Sequence, residues 1–269
     1  MNICVIVTTY NRPDALAAVL EGYLAQDGAE FEMIVADDGS TDETRRVVAE
    51  YAGRAPFALR HVWQEDRGFR AAAIRNRALA ATGADYIVFT DGDCVPSPAF
   101  VLRHRALAEP GCFLAGSRML LSQRFTAEVL ARRLPIHAWG ARQWIAARLR
   151  GDVNRLLPLL RLPDSALRKW APRQWRGART CNFSAWRMDL LRVNGLDESY
   201  SGWGLEDSDL VIRLLHAGVT HKSARFSAPL FHLWHREQDR GSLARNQRLL
   251  DDIIASRRIE ALLGVNQYL

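Results

Sequence analysis

The first part of the chain alternates between two hydrophobic rhythms. The run ICVIVTTY (residues 3–10) is continuously apolar and ends in polar residues, the pattern of a strand covered on both faces. RPDALAAVLEGYLAQ follows with apolar residues at helical spacing, and FEMIVADDGS repeats the strand pattern. TDETRRVVAEYAG reads as a second helix, with acids in its first turn and a glycine stop. FALRHVWQ, AAAIRNRALAATG and DYIVFTDGD add a third strand, a third helix and a fourth strand. This succession predicts an α/β fold, a mostly parallel central sheet flanked by helices. Ligands of such sheets gather at the carboxyl ends of the strands, where TTYN, DDGS and DGD all fall.

The rhythm breaks near residue 118. Residues 118–176 are rich in arginine and tryptophan and punctuated by Pro135, Pro158, Pro163 and Pro172, which predicts two or three amphipathic helices inserted into the α/β body. From RTCNFSAW onward the pattern is compact again, closing on a helix over SLARNQRLLDDIIASRRIEALLG. The expected organisation is an α/β half (1–117), a basic amphipathic helical insert (118–176) and a closing half with a C-terminal helix (177–269).

Composition narrows this picture. A chain of 269 residues, 48% hydrophobic and 25% charged, has ordinary globular character and buries a full core. No apolar run approaches 18 residues, so no membrane-spanning helix is expected. MNICVIVTTYN has neither a basic leader nor a cleavage pattern and reads as a first strand. The four cysteines are scattered, as free thiols of a reducing cytosol would be. The net charge of +6 is uneven: Arg118 to Arg179 holds fourteen Lys/Arg against three acids, leaving the rest net acidic. The insert is therefore a solvated cap with arginines over an apolar base, or a surface for an anionic acceptor or an anionic membrane. A nucleic-acid partner would explain the insert alone and leave the acidic motifs without a purpose.

Those motifs carry the candidate chemistry. VTTYNRP, ADDGSTDET and FTDGD each place short polar or acidic residues past a strand. Each alone is a cap or turn signal, but three at one sheet edge point to a divalent metal bridging acids to an anionic ligand. In GWGLEDSDLVIRLLHAG, Asp207 shares a helical face with Leu210, Val211 and Leu214, so it is expected to point inward. Glu206 is rotated off that stripe, and Asp209, four before Arg213, is expected to form a solvated surface pair. Asp207 is then either an acid stabilised by the helix dipole or a proton acceptor. In FHLWHRE, His232 and His235 are spaced to share a ligand. The polar tail REQDRGSLARN is expected to act as a lid.

VIVTTYNRPDAL, IVADDGSTDET, AIRNRALAATGADYIVFTDGDCVP and NGLDESYSGWGLEDSDL together resemble family-two glycosyltransferases of the glycosyltransferase-A fold. The resemblance implies transfer of a sugar from a UDP-sugar donor. Thr8 and Tyr10 would line the base pocket, Asp38 with Asp37 would accept from the base, and Arg75 would face the diphosphate or hold the metal loop. Asp91, Gly92 and Asp93 match the family's Asp-x-Asp motif, with Asp93 a metal ligand and Asp91 near the ribose. GWGLED is similar to the corresponding segment of galactosyltransferase-type and chondroitin-synthesising enzymes. That implies Asp207 as catalytic base of an inverting displacement, Glu206 as a sugar contact, Trp203 as a sugar platform, and His235 with His232 as metal ligands. Mixed imidazole and carboxylate ligands favour Mn²⁺, with Mg²⁺ the alternative. The resemblance further implies a saccharide or glycolipid acceptor in bacterial surface polysaccharide or lipopolysaccharide assembly. The expected location is the cytoplasm, peripheral at the inner face of the membrane. Nucleotidyl transfer to a sugar phosphate is the alternative, though VTTYNRP lacks the glycine such a phosphate loop uses.

Overall fold

The computed structural model describes residues 1–28, 30–236 and 239–269. In chain order the elements are β1 (Ile3–Thr9), α1 (Pro13–Leu24), β2 (Glu32–Asp37), α2 (Asp42–Ala52), β3 (Leu59–Trp63), α3 (Ala71–Ala80) and β4 (Tyr86–Asp91). Then come β5 (Cys94–Pro96), α4 (Phe100–Leu107), β6 (Cys112–Ala115), β7 (Arg118–Leu120), α5 (Gln123–Arg132) and α6 (Ala141–Leu149). The chain closes with β8 (Asn182–Trp186), α7 (Arg187–Arg192), α8 (Glu206–His216), β9 (Thr220–Ser223), β10 (Leu230–His232) and α9 (Leu243–Ser256).

Seven strands form the central sheet in the order β3-β2-β1-β4-β8-β6-β9. β3, β2, β1 and β4 run parallel, and β8 is antiparallel to both β4 and β6. The first four strands are the ones whose apolar runs predicted them. Their register matters for chemistry: Thr8 pairs with Asp91 and Thr9 with Asp37, so the polar strand ends line up in one row. Two apolar layers cover the two faces. One gathers Val5, Val7, Leu16, Leu20 and Val88, and the other Ile6, Ile34, Ile74, Phe89 and Phe183.

A second, three-stranded sheet, β5-β10-β7, stands beside the first. In it His232 pairs with Cys94, and the Leu233 N–H donates to the Asp93 carbonyl at 2.8 Å. This zipper joins residues 140 positions apart and carries both histidines of FHLWHRE to the Asp-x-Asp turn.

The basic segment contains two α-helices and several 3₁₀ turns. Its apolar base is built into the larger layer: Phe125, Val129, Ile136 and Trp144 are buried with β1 and α1 residues. Trp144 stacks on Phe231 at 4.4 Å between ring centroids, and Trp139 lies 5.2 Å from Trp144. Those tryptophans therefore face the core. The closing helix stops at Ser256, short of the expected span, because Arg257 adopts a left-handed conformation (φ 55°). All four cysteines are free and buried. No helix among the described residues is long and apolar enough to cross a membrane.

Candidate active site

At the carboxyl ends of β1, β2 and β4 each acidic turn is held by a different device. In DDGS, Asp37 is fully buried; its Oδ1 accepts from the Ser40 N–H at 2.8 Å, and His61 Nε2 lies 2.9 Å from its Oδ2. Asp37, expected to accept from a base, is thus fully buried, with one oxygen held inside the turn and the other facing His61 of β3. Asp38 accepts from Gln64 Nε2 at 2.5 Å and from the Arg70 N–H at 2.8 Å, which ties the 64–70 loop to the sheet. Burial raises the Asp38 carboxyl above its ordinary range. Gly39 makes this close approach possible, since at φ 97° an added Cβ would stand 2.5 Å from Asp66 Cα. Tyr10 is 45% exposed, and its hydroxyl donates to Asp66 at 2.8 Å, leaving a ring face open beside the loop.

Gly92 serves the same purpose in DGD. Its N–H donates to the Thr8 carbonyl at 2.7 Å, and a Cβ there would meet Thr9 Oγ1 at 2.9 Å. The turn folds back over β1 and leaves Asp91 and Asp93 at the rim.

Arg75 joins the two halves of the chain. Its buried guanidinium donates to Thr8 Oγ1 at 3.0 Å and Asp91 Oδ1 at 3.0 Å, and lies 3.5 Å from Glu206 Oε1 and 3.8 Å from Asp207 Oδ1. One cation thus faces three carboxylates. Burial, opposed by Arg75 and reinforced by Asp93 and Asp207, pushes Asp91 up to about 6. Burial and the adjacent Asp207 charge push Glu206 up to about 7.

Glu206 and Asp207 are presented by a turn of unusual backbone. Gly202, Gly204 and the non-glycine Leu205 all have positive φ (68°, 105° and 78°), and α8 begins immediately afterwards. Buried Asn246 on α9 grips this turn, donating to the Ser201 and Gly204 carbonyls at 3.2 and 2.9 Å. Backbone of this kind persists only where its surroundings enforce it, and it concentrates at working sites. Asp207 stays partly exposed, and Thr180 donates to its Oδ1 at 2.7 Å. Glu206, expected off the apolar stripe, is the more buried of the two. Trp203 is half-buried, with the Arg240 guanidinium 5.5 Å from its ring centroid.

The expected surface pair Asp209–Arg213 is overturned. Arg213 is completely buried, bonds Asp209 at 2.6 Å, and donates to the Val193 and Gly195 carbonyls at 2.6 and 2.8 Å. The pair clamps α8 to the 193–195 loop, so it belongs to the scaffold.

At the other side of Asp93, His235 Nε2 and His232 Nε2 stand 3.3 and 3.7 Å from its Oδ2. Both separations exceed a good N–H···O bond. Burial pulls His232 down to about 4, so its imidazole is neutral at physiological pH. His235 Nδ1 lies 2.8 Å from the Arg236 carbonyl; a proton donated there leaves the Nε2 lone pair aimed at Asp93. Imidazole nitrogens converging on a carboxylate are a donor set that fits a divalent transition metal. Cys94 Sγ lies in the same neighbourhood, but burial holds its thiol well above the usual value, and a protonated thiol is a poor ligand.

The structure thus brings together Thr8, Arg75, Asp91, Asp93, Glu206, Asp207, His232 and His235, with Asp38 and Tyr10 on the neighbouring strand end. Sequence reasoning missed Thr180, which fixes Asp207, and Asn246, which grips the GWG turn. It also missed Arg118, half-buried, where burial lowers the guanidinium pKa but nearby Cys181, Cys94, Asp91 and Asp93 outweigh it and raise the value above the ordinary one. The lid assigned to 236–246 includes residues 237 and 238, which lie outside the described residues.

Comparisons with known proteins identify the family and the fold. The profile of glycosyl transferase family 2 matches residues 4–152, and that of the N-terminal domain of galactosyltransferase matches residues 163–236. Validoxylamine A glucosyltransferase of Streptomyces hygroscopicus subsp. limoneus is 32% identical over 84% of this chain and 50% of its own length. Hyaluronan synthase of Pasteurella multocida is 29% identical over 83% of this chain and 24% of its own. The chain therefore spans half or less of these relatives. Among solved structures, S. aureus TarS 1-349 in complex with UDP matches with TM-score 0.63 and 16% identity, over all of this chain and 68% of that one. The mannosyltransferase PcManGT from Pyrobaculum calidifontis, in complex with GDP-Man and Mn²⁺, matches with TM-score 0.61 and 22% identity, over 95% and 64%. At those identities the structures establish the fold, a glycosyltransferase-A fold. With the matching profile covering more than half its length, this chain belongs to glycosyl transferase family 2.

Proposed function

We propose that the protein is a metal-dependent, inverting glycosyltransferase that moves a sugar from a UDP-sugar donor to a hydroxyl of a saccharide or glycolipid. The observation that carries the reading is Arg75, which draws the Asp-x-Asp turn and the Glu206–Asp207 pair around one guanidinium. Donor-binding and proton-accepting groups thereby meet at one sheet edge. The names of the relatives, validoxylamine A glucosyltransferase and hyaluronan synthase, support a saccharide product. The UDP bound in one solved neighbour and the Mn²⁺ bound in the other support the donor class and the metal.

In this reading the uracil stacks on the open face of Tyr10, with Asp38 at its edge and Thr8 below. Asp91 meets the ribose. Asp93, His235 and His232 would hold the metal, which would supply positive charge against that developing on the departing diphosphate. Glu206 and Trp203 position the sugars. Asp207 takes the proton of the acceptor hydroxyl as its oxygen attacks the anomeric carbon from the face opposite the leaving group, which inverts that centre. Thr180 keeps Asp207 Oδ1 in place, and Arg75 restrains both acids. We place the reaction on the cytoplasmic side of the membrane, in assembly of a bacterial surface polysaccharide or lipopolysaccharide, with residues 118–176 facing an anionic partner.

Titration calorimetry with UDP, with and without Mn²⁺, tests the reading. Binding that strengthens with the metal and loses this gain in Asp93→Asn supports it. Binding indifferent to metal removes Asp93, His232 and His235 as ligands. A panel of UDP-sugars assayed for UDP release then identifies the donor.

A further inference from the structure

We propose that residues 157–170 dock the protein on an anionic lipid bilayer, inserting Leu157, Leu160, Leu162, Leu167 and Trp170 between headgroups. On α6 of the basic segment Ile145 and Leu149 are 50% and 84% exposed, while Trp144, with Phe125 of α5, turns into the core. The five of the strip stay outside: Leu157, Leu160 and Leu162 are 50–61% exposed, Leu167 is 80% exposed and Trp170 is 82% exposed. Five exposed large apolar side chains within one short stretch are the mark of a partner surface.

The backbone holds them outward. Two 3₁₀ turns, 157–159 and 166–169, lie in this stretch, and in that geometry side chains three apart eclipse one another. Leu157 therefore lines up with Leu160, and Leu167 with Trp170. The stretch is also fastened. Buried Arg168 donates to the carbonyls of Leu162, Pro163, Ser223 and Arg225 at 2.6, 3.0, 2.8 and 2.9 Å, and the Leu162 N–H donates to the Phe226 carbonyl at 2.8 Å. A guanidinium spent on four carbonyls makes this an anchored strip rather than a loose loop.

Charge selects the occupant. The nearby acids are already neutralised: Asp164 pairs with Lys222 at 2.8 Å, and Glu109 pairs with both Lys169 and Lys222. Arg148, Arg155, Arg173 and Arg176 are exposed on the flanking chain, and none pairs with a carboxylate among the described residues. Apolar side chains beside unpaired arginines complement acyl chains beneath anionic headgroups. A second copy of this chain would set arginine against arginine. The anchors at 223–226 lie a few residues before β10, which carries His232, so under the transfer reading a short stretch of chain joins the docked strip to the cleft. This last consequence rests on the transfer reading and suits a glycolipid acceptor; the docking itself does not depend on it.

The test is co-sedimentation of the full chain, without nucleotide, with vesicles of phosphatidylcholine alone or mixed with phosphatidylglycerol. Binding to the mixed vesicles at low salt should fall at least tenfold in Leu167→Ser/Trp170→Ser, while circular dichroism and UDP affinity stay unchanged. Brominated lipid should quench part of the tryptophan emission, and that part should vanish in Trp170→Phe. Equal sedimentation of parent and double variant overturns the proposal, as does equal binding to both vesicle types. A concentration-dependent dimer that shields Trp170 and abolishes vesicle binding also overturns it. UDP-sugar turnover in the same preparations reads the transfer hypothesis separately.

Discussion

Replacing Glu206 with glutamine should stabilise the fold at alkaline pH and weaken the enzyme. The Glu206 side chain is 10% exposed and shares Arg75 with Asp91 and Asp207. Burial, then the Asp207 charge, hold its carboxyl at about 7 against an ordinary 4.5. At about 1.4 kcal/mol per unit, this difference amounts to about 3 kcal/mol. A raised carboxyl pKa means that the folded state keeps its proton longer than the unfolded chain. The contribution is complete below pH 4.5 and disappears as pH rises through about 7. In chelator-treated protein, the parent should therefore lose up to about 3 kcal/mol from this group between pH 5 and pH 8, and Glu206→Gln should lose none of it. Urea unfolding at pH 5, 6, 7 and 8 measures the effect. With a slope of about 3 kcal/mol/M, the midpoints should separate by up to about 1 M at pH 8 and converge at pH 5. Curves that stay parallel across pH, or a variant less stable than its parent at pH 8, would refute the reasoning. Reduced transfer in the stabilised variant would identify the strained carboxylate as a functional cost held in the fold.

Three further outcomes are expected. Asp209→Asn should destabilise the protein by about 3–5 kcal/mol in thermal or urea unfolding, because it strands the buried Arg213 guanidinium; a change below about 1 kcal/mol would contradict the clamp. Thr180→Val should lower kcat about tenfold with the donor KM unchanged, since one hydrogen bond of about 1–2 kcal/mol orients Asp207; a rise in KM alone would show that Thr180 serves binding instead. His235→Ala should weaken Mn²⁺ binding in the presence of UDP by at least about tenfold, read by calorimetry, with unfolding little altered; unchanged affinity would remove His235 from the ligand set.

The α/β body was legible because its strands are buried on both faces and read as continuous apolar runs, while its helices keep the 3.6-residue period. The strand-end acids do gather at one sheet edge, but the helical stripe misjudged the two acids of α8: Glu206, placed off it, is buried, and Asp207, placed on it, stays partly exposed. What stayed hidden depended on tertiary partners. The Asp209–Arg213 spacing is that of a surface pair, and nothing local reveals that the Val193 and Gly195 carbonyls wait to receive the guanidinium. Asp37 looks like Asp38 in sequence, yet His61 from the next strand locks it away. Trp139 and Trp144 sit among arginines in the chain but turn toward Phe231, whereas Trp170 turns outward. Thr180 lies 27 residues before the acid it holds, and a lone hydroxyl carries no period to betray it. The left-handed Leu205 was likewise invisible, because only its packing against the α8–α9 layer and the grip of Asn246 enforce that conformation.

The central claim is that Asp207 accepts the acceptor's proton in a site whose donor-binding half is built separately by Asp91 and Asp93. Paired measurement of UDP affinity and single-turnover sugar transfer in Asp207→Asn addresses it most directly. The account predicts UDP affinity within about twofold of the parent and transfer slowed by about 10²–10⁴-fold, the usual worth of a positioned general base. Transfer at near-parental rate, with the donor still bound, would contradict it.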